Sequence, residues 1–132
     1  MISFFKRVVP YTVSIAELKA KPEKTRLEFL KKRRHKDGQC IDLLFIENDI
    51  FDHDSILPSV GDKLFAYKGL MDMGPLDLKN ENGEYIGRIP MENSIFPTIL
   101  LESDISVWCF VEAVDASNTL PEIAVSLYCE EY

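Results

Sequence analysis

The chain has 132 residues, 46% of them hydrophobic. That suits one domain with a continuous core. No apolar run approaches the roughly 18 residues that a membrane-spanning helix needs. The net charge of −7 divides unevenly: residues 1–38 carry 11 Lys/Arg against 4 Asp/Glu (+7), and residues 39–132 carry 4 against 18 (−14). A basic arm is therefore joined to an acidic body, and the body as a whole should repel phosphates.

In chain order, Met1 to Arg7 lacks an apolar stretch ending in a small-residue cleavage site. No secretory leader is expected there, which makes the cytoplasm the default location. Ser14 and Glu17 have the spacing of a capping box and predict a short helix start. Pro22 suits the first position of a second helix running to about Lys36 and ending at Gly38, with Leu27 and Leu30 on its buried stripe. Lys31 to Lys36 places its positive charge at that helix's C-terminal end, where the helix dipole favours it.

Past Gly38 the periodicity becomes strand-like. Strands are predicted over Cys40 to Glu47, Lys63 to Lys68, Leu76 to Leu78 and Glu84 to Ile89. Turns fall at Val60-Gly61-Asp62 and Asn80-Glu81-Asn82-Gly83, and a loop covers Gly69 to Pro75. Ser94 is the expected N-cap of a helix to about Glu102, with Pro97 in its first turn and Ile95 and Ile99 on its inner face. Two long strands, Ile105 to Val114 and Glu122 to Cys129, alternate an aliphatic face with a second one. That second face holds Trp108, Phe110 and Tyr128, either as an exposed patch or as a small core covered by the N-terminal arm. Cys40, Cys109 and Cys129 form no Cys-x-x-Cys pair and read as buried thiols. The expected fold is mainly β with minor α: a small, partly open antiparallel β-barrel with one inserted helix and an N-terminal helical arm.

Residues from about 60 to 128 resemble the HIRAN domain. The resemblance is carried by Val60-Gly61-Asp62-Lys63-Leu64, by Asp72-Met73-Gly74-Pro75-Leu76-Asp77-Leu78, and above all by Asn82-Gly83-Glu84-Tyr85-Ile86-Gly87-Arg88-Ile89-Pro90. That last run is similar to the family's Gly turn followed by Ile-Gly-Tyr-(Ile/Leu)-Pro. The resemblance implies a DNA-binding module, one linked to recognition of DNA ends with a single-stranded 3′ terminus. Where the family's binding loop reads Asn-Pro-Tyr-Asp, this chain has Gly69-Leu70-Met71-Asp72, and where the family has Tyr in its Ile-Gly-Tyr run, this chain has Arg88. The arm, residues 1–38, lies outside the resemblance, which places the HIRAN-like barrel in residues 39–132.

Asp49, Asp52, His53 and Asp54 form the one cluster with metal-ligand chemistry. It lacks the Gly and Glu of a calcium loop and reads as a solvated acidic loop. With two histidines, His35 and His53, no Gly-x-Ser-x-Gly elbow and no phosphate-cradling glycine loop, no enzyme site and no cofactor are expected. The leading expectation is a non-enzymatic DNA-binding module using Lys68, Asp72 and Arg88, with Arg33 and Arg34 as auxiliary phosphate contacts. The alternative is an acidic protein-interaction module or inhibitor that imitates DNA, of phage or mobile-element type.

Overall fold

A computed structural model of the protein describes residues 14–20, 38–46, 48, 56–69, 74–117 and 121–130. The expected helix over Pro22 to Lys36, with Arg33 and Arg34, lies outside the described residues. So do Asp72 and the acidic loop of Asp49, Asp52, His53 and Asp54.

Among the described residues, two helices and six strands follow in the order α1 (Ile15–Ala20), β1 (Gln39–Ile46), β2 (Lys63–Lys68), β3 (Leu76–Lys79), β4 (Tyr85–Ile89), α2 (Met91–Glu102), β5 (Val107–Asp115) and β6 (Glu122–Cys129). The strands form one antiparallel sheet in the order β1-β6-β5-β2-β3-β4. The sheet curls into a half-barrel. Its two edges are tied by Asn48, whose side-chain amide donates to the carbonyls of Ile86 on β4 and of Ile56. Ile56 N–H in turn donates to Tyr85 O (3.3 Å).

The turns are built as the sequence suggests. Gly61 and Gly83 both hold positive φ, at 94° and 79°, where a side chain would be strained. Asn80 organises the β3–β4 hairpin by accepting from the amides of Asn82 and Glu84 through its Oδ1. A bulge between Leu78 and Lys79 shifts the β3–β4 register.

Period two gives the sheet two distinct faces. The inner face is aliphatic: Leu64, Leu76, Leu78, Ile86, Ile89, Cys109, Val125 and Leu127 belong to one buried cluster. Each such leucine or isoleucine contributes about 1.5–3 kcal/mol by leaving water. Leu100 of α2 joins this cluster, so α2 covers the mouth of the half-barrel.

The outer face is divided. Over β1, β6 and β5 it is covered in part by α1, whose Ile15 and Leu18 pack with Leu43, Ala113 and Ala124. Ser14 caps α1 by accepting from Glu17 N–H (3.1 Å), and Lys19 pairs with Glu122 of β6. Beside this lies a second small core of Cys40, Trp108, Phe110 and Tyr128. Phe110 and Tyr128 meet edge to face with ring centroids 5.4 Å apart. The aromatic residues of β5 and β6 are therefore interior, not an exposed patch.

The helix after β4 departs from expectation. It starts at Met91, with Pro90 at the N-cap, so Pro97 lies in its interior. Ser94 is not a cap but a buried tether: its Oγ accepts from Leu76 N–H (3.2 Å) and lies 3.0 Å from the carbonyls of Ile89 and Pro90. The inner face is Ser94, Pro97, Thr98 and Leu100. Ile95 and Ile99, expected inside, are half exposed. Satisfying the β3 and β4 backbone through a hydroxyl sets the helix rotation and turns the isoleucines outward. Among the described residues, no helix is long and apolar enough to cross a membrane.

Candidate functional site

Residues 39–132 contain four basic side chains: Lys63, Lys68, Lys79 and Arg88. All four lie on the β2-β3-β4 half of the sheet. Strand alternation sends Lys63, Phe65 and Tyr67 to the outer face of β2, opposite the buried Leu64 and Ala66. On β3 the same face takes Asp77 and Lys79, since Leu76 and Leu78 point inward.

Register assembles these residues into rows. Phe65 stands opposite Lys79, and Lys79 opposite Tyr85. Tyr67 stands opposite Asp77, and Asp77 opposite Arg88. Because the register shifts between Leu78 and Lys79, Tyr85 and Arg88 share the outer face, and Arg88 Nε donates to Tyr85 Oη (3.1 Å). Ammonium groups sit over rings: Lys79 over Tyr67 (5.3 Å), and Lys63 over both Phe65 (5.3 Å) and Trp108 (4.9 Å). Tyr67 is 49% exposed.

The outcome is a pleated surface bearing Phe65, Tyr67 and Tyr85 interleaved with Lys63, Lys79 and Arg88, with Asp77 as its acidic member. Such a surface can stack planar groups on its rings and place cations beside an anion.

No family model, curated protein or solved structure matches this chain.

Of the residues singled out in the sequence, Arg88 sits within this surface. Lys68 has inward parity at the end of β2, and its ammonium donates to Glu102 of α2 (3.0 Å). The two cations thus lie at one end of the sheet, on strands separated by β3, and serve different faces. Lys63, Lys79, Phe65, Tyr67 and Tyr85 were missed. The signal for β2 was present in the alternation of Lys63, Phe65 and Tyr67 with Leu64 and Ala66.

Cys40, Cys109 and Cys129 are buried and form no disulfide. Burial, reinforced by neighbouring Cys40, pushes the Cys109 thiol far above its ordinary range. Burial likewise raises Cys129. Both shifts favour the protonated thiol of Cys109 and Cys129. Glu112, at the β5 bulge, is buried and accepts from Ser126 Oγ (2.6 Å), an internal contact between β5 and β6. Among the described residues, no group of three or more His, Cys, Asp or Glu side chains is placed to hold a metal ion.

Proposed function

We propose that the protein is a non-enzymatic module that binds single-stranded DNA on the outer face of β2-β3-β4. One observation carries the reading: a region with four cations against eighteen carboxylates places three of those cations, Lys63, Lys79 and Arg88, on one surface together with Phe65, Tyr67 and Tyr85. Single strands are held by cations that track the backbone and by rings on which bases stack. A curled antiparallel sheet is a scaffold suited to that work. The HIRAN-like run through Arg88 points the same way, toward a free 3′ end as the preferred feature. The surrounding acidic surface would repel phosphate elsewhere and confine the strand to this surface.

The test is a fluorescence-anisotropy titration against three labelled DNAs: a single strand with a free 3′ end, the same strand with that end blocked, and a blunt duplex. It is run at low and near-physiological salt, with wild type, Tyr67→Ala and Arg88→Ala. Single-strand binding that weakens in both variants supports the reading, and a preference for the free end supports the finer one. Binding indifferent to both substitutions, or none at low salt, overturns it.

A further inference from the structure

Helix α2 presents an inverted surface. Its buried side carries the polar Ser94 and Thr98, while Met91, Ile95, Phe96 and Ile99 are 47–50% exposed. Helical spacing gathers these four into one continuous arc, with Glu92 and Glu102 in the same arc. Ile95 and Phe96 also line a groove of about 250 Å3 between α2 and the sheet, completed by Ile41, Asp42, Pro97 and Leu127. Four large apolar side chains on a single exposed helix face form a contiguous patch of the kind that marks an interaction surface.

The geometry points to a docking site on α2 and this groove for a basic amphipathic segment of a partner protein, seated with its apolar side chains against Ile95, Phe96 and Ile99 and its cations beside Glu92. Charge selects the occupant. Among the described residues, no lysine or arginine lines the groove, whereas two carboxylates, Asp42 and Glu92, do. A second copy seated through the same helix would bring no cation to these carboxylates, since α2 carries Glu92 and Glu102 and no lysine or arginine. A partner helix with lysines or arginines flanking an apolar stripe satisfies both features, since its aliphatic stems extend the apolar contact while its charged ends reach the carboxylates. The site is separate from the outer-face surface. It lies at the mouth of the half-barrel, whereas Tyr67 and Lys79 face away from that core.

The experiment uses the full chain and a fluorescein-labelled amphipathic peptide of leucine and lysine, with a leucine–glutamate peptide of the same length and pattern as its counterpart. Four proteins are compared: wild type, Phe96→Ser, Ile99→Ser and Glu92→Lys. All three positions are solvent-facing, and unchanged thermal melting verifies that each variant folds. The expected result is saturable binding of the lysine peptide to wild type, about tenfold weaker in each variant, as for truncation of an interface anchor, with no binding of the glutamate peptide. Single-strand DNA titration of Phe96→Ser should match wild type. Lysine-peptide binding that survives both Phe96→Ser and Ile99→Ser is diffuse charge attraction and overturns the proposal. Absence of binding at low salt does so too, as does sedimentation of wild type as a dimer that Ile99→Ser dissolves.

Discussion

Lys79 on β3 holds its ammonium 5.3 Å from the ring centroid of Tyr67 on β2, on the one half of the sheet where the acidic body carries its cations. The contact sets an ammonium against a half-exposed ring, and the ring face turned away from it is the one a base would stack on. If that face takes a base, Tyr67→Ala removes a stacking contact worth about 1–3 kcal/mol, on the order of tenfold in affinity for a single strand. Tyr67→Phe should retain nearly all of it, because stacking uses the ring rather than the hydroxyl. Lys79→Gln should act differently. Deleting one phosphate contact lowers the slope of log affinity against log salt by about 0.7 for a single strand. Titrations at several salt concentrations separate the two roles.

The strands were legible because alternation over β2, β5 and β6 separates Leu64, Cys109 and Leu127 from Phe65, Trp108 and Tyr128 without ambiguity. The turn residues Asn80 and Gly83 fixed where β3 gives way to β4. The rotation of α2 was not legible. Its sequence is apolar on several sides, and the burial of Ser94 depends on acceptance of the Leu76 amide, a partner 18 positions away. Nor could the outer-face surface be assembled from spacing alone. Tyr85 and Arg88 would fall on opposite faces of a regular strand, and the bulge opposite Leu78 and Lys79 puts them on the same one.

Gly38 is a close-approach position. A Cβ built there would lie 2.5 Å from the Trp108 ring and 2.9 Å from the Cys129 carbonyl oxygen. The ring has little room to retreat, since it belongs to the small core with Cys40, Phe110 and Tyr128. Gly38→Ala should therefore destabilise the fold by about 1–3 kcal/mol, the scale of overpacking. Urea denaturation followed by the fluorescence of Trp108 should show a lower midpoint at an unchanged slope.

Ser94 joins α2 to the sheet. Ser94→Ala leaves Leu76 N–H without that acceptor in a buried setting, a loss of about 1–3 kcal/mol. The same substitution frees the anchored end of α2, so hydrogen exchange should accelerate over residues 91–102 before it does over β5 and β6. An unchanged melting temperature together with unchanged exchange would show that the hydroxyl does not hold the helix.

Cys109 gives the fold an alkaline limit whose sign follows from its burial. Burial raises its folded-state pKa, with Cys40 adding to the effect, whereas an unfolded thiol ionises near pH 8.5, roughly its ordinary value. Below that pH both states hold the proton and the thiol makes no pH-dependent contribution. Above it the unfolded chain releases the proton and the folded chain does not, so stability falls as pH rises. The slope approaches about 1.4 kcal/mol per pH unit for one thiol. Cys129 is shifted in the same direction by burial and steepens the decline. Denaturation midpoints between pH 8 and 10 should therefore drop in wild type and drop less in Cys109→Val, whose side chain of similar size carries no proton to lose. Native protein at pH 8 should also resist alkylation at Cys109, while protein in denaturant reacts fully. A midpoint that holds level through this range, or rapid alkylation of the native thiol, would place Cys109 in contact with water rather than in the aliphatic core beside Leu64 and Leu127.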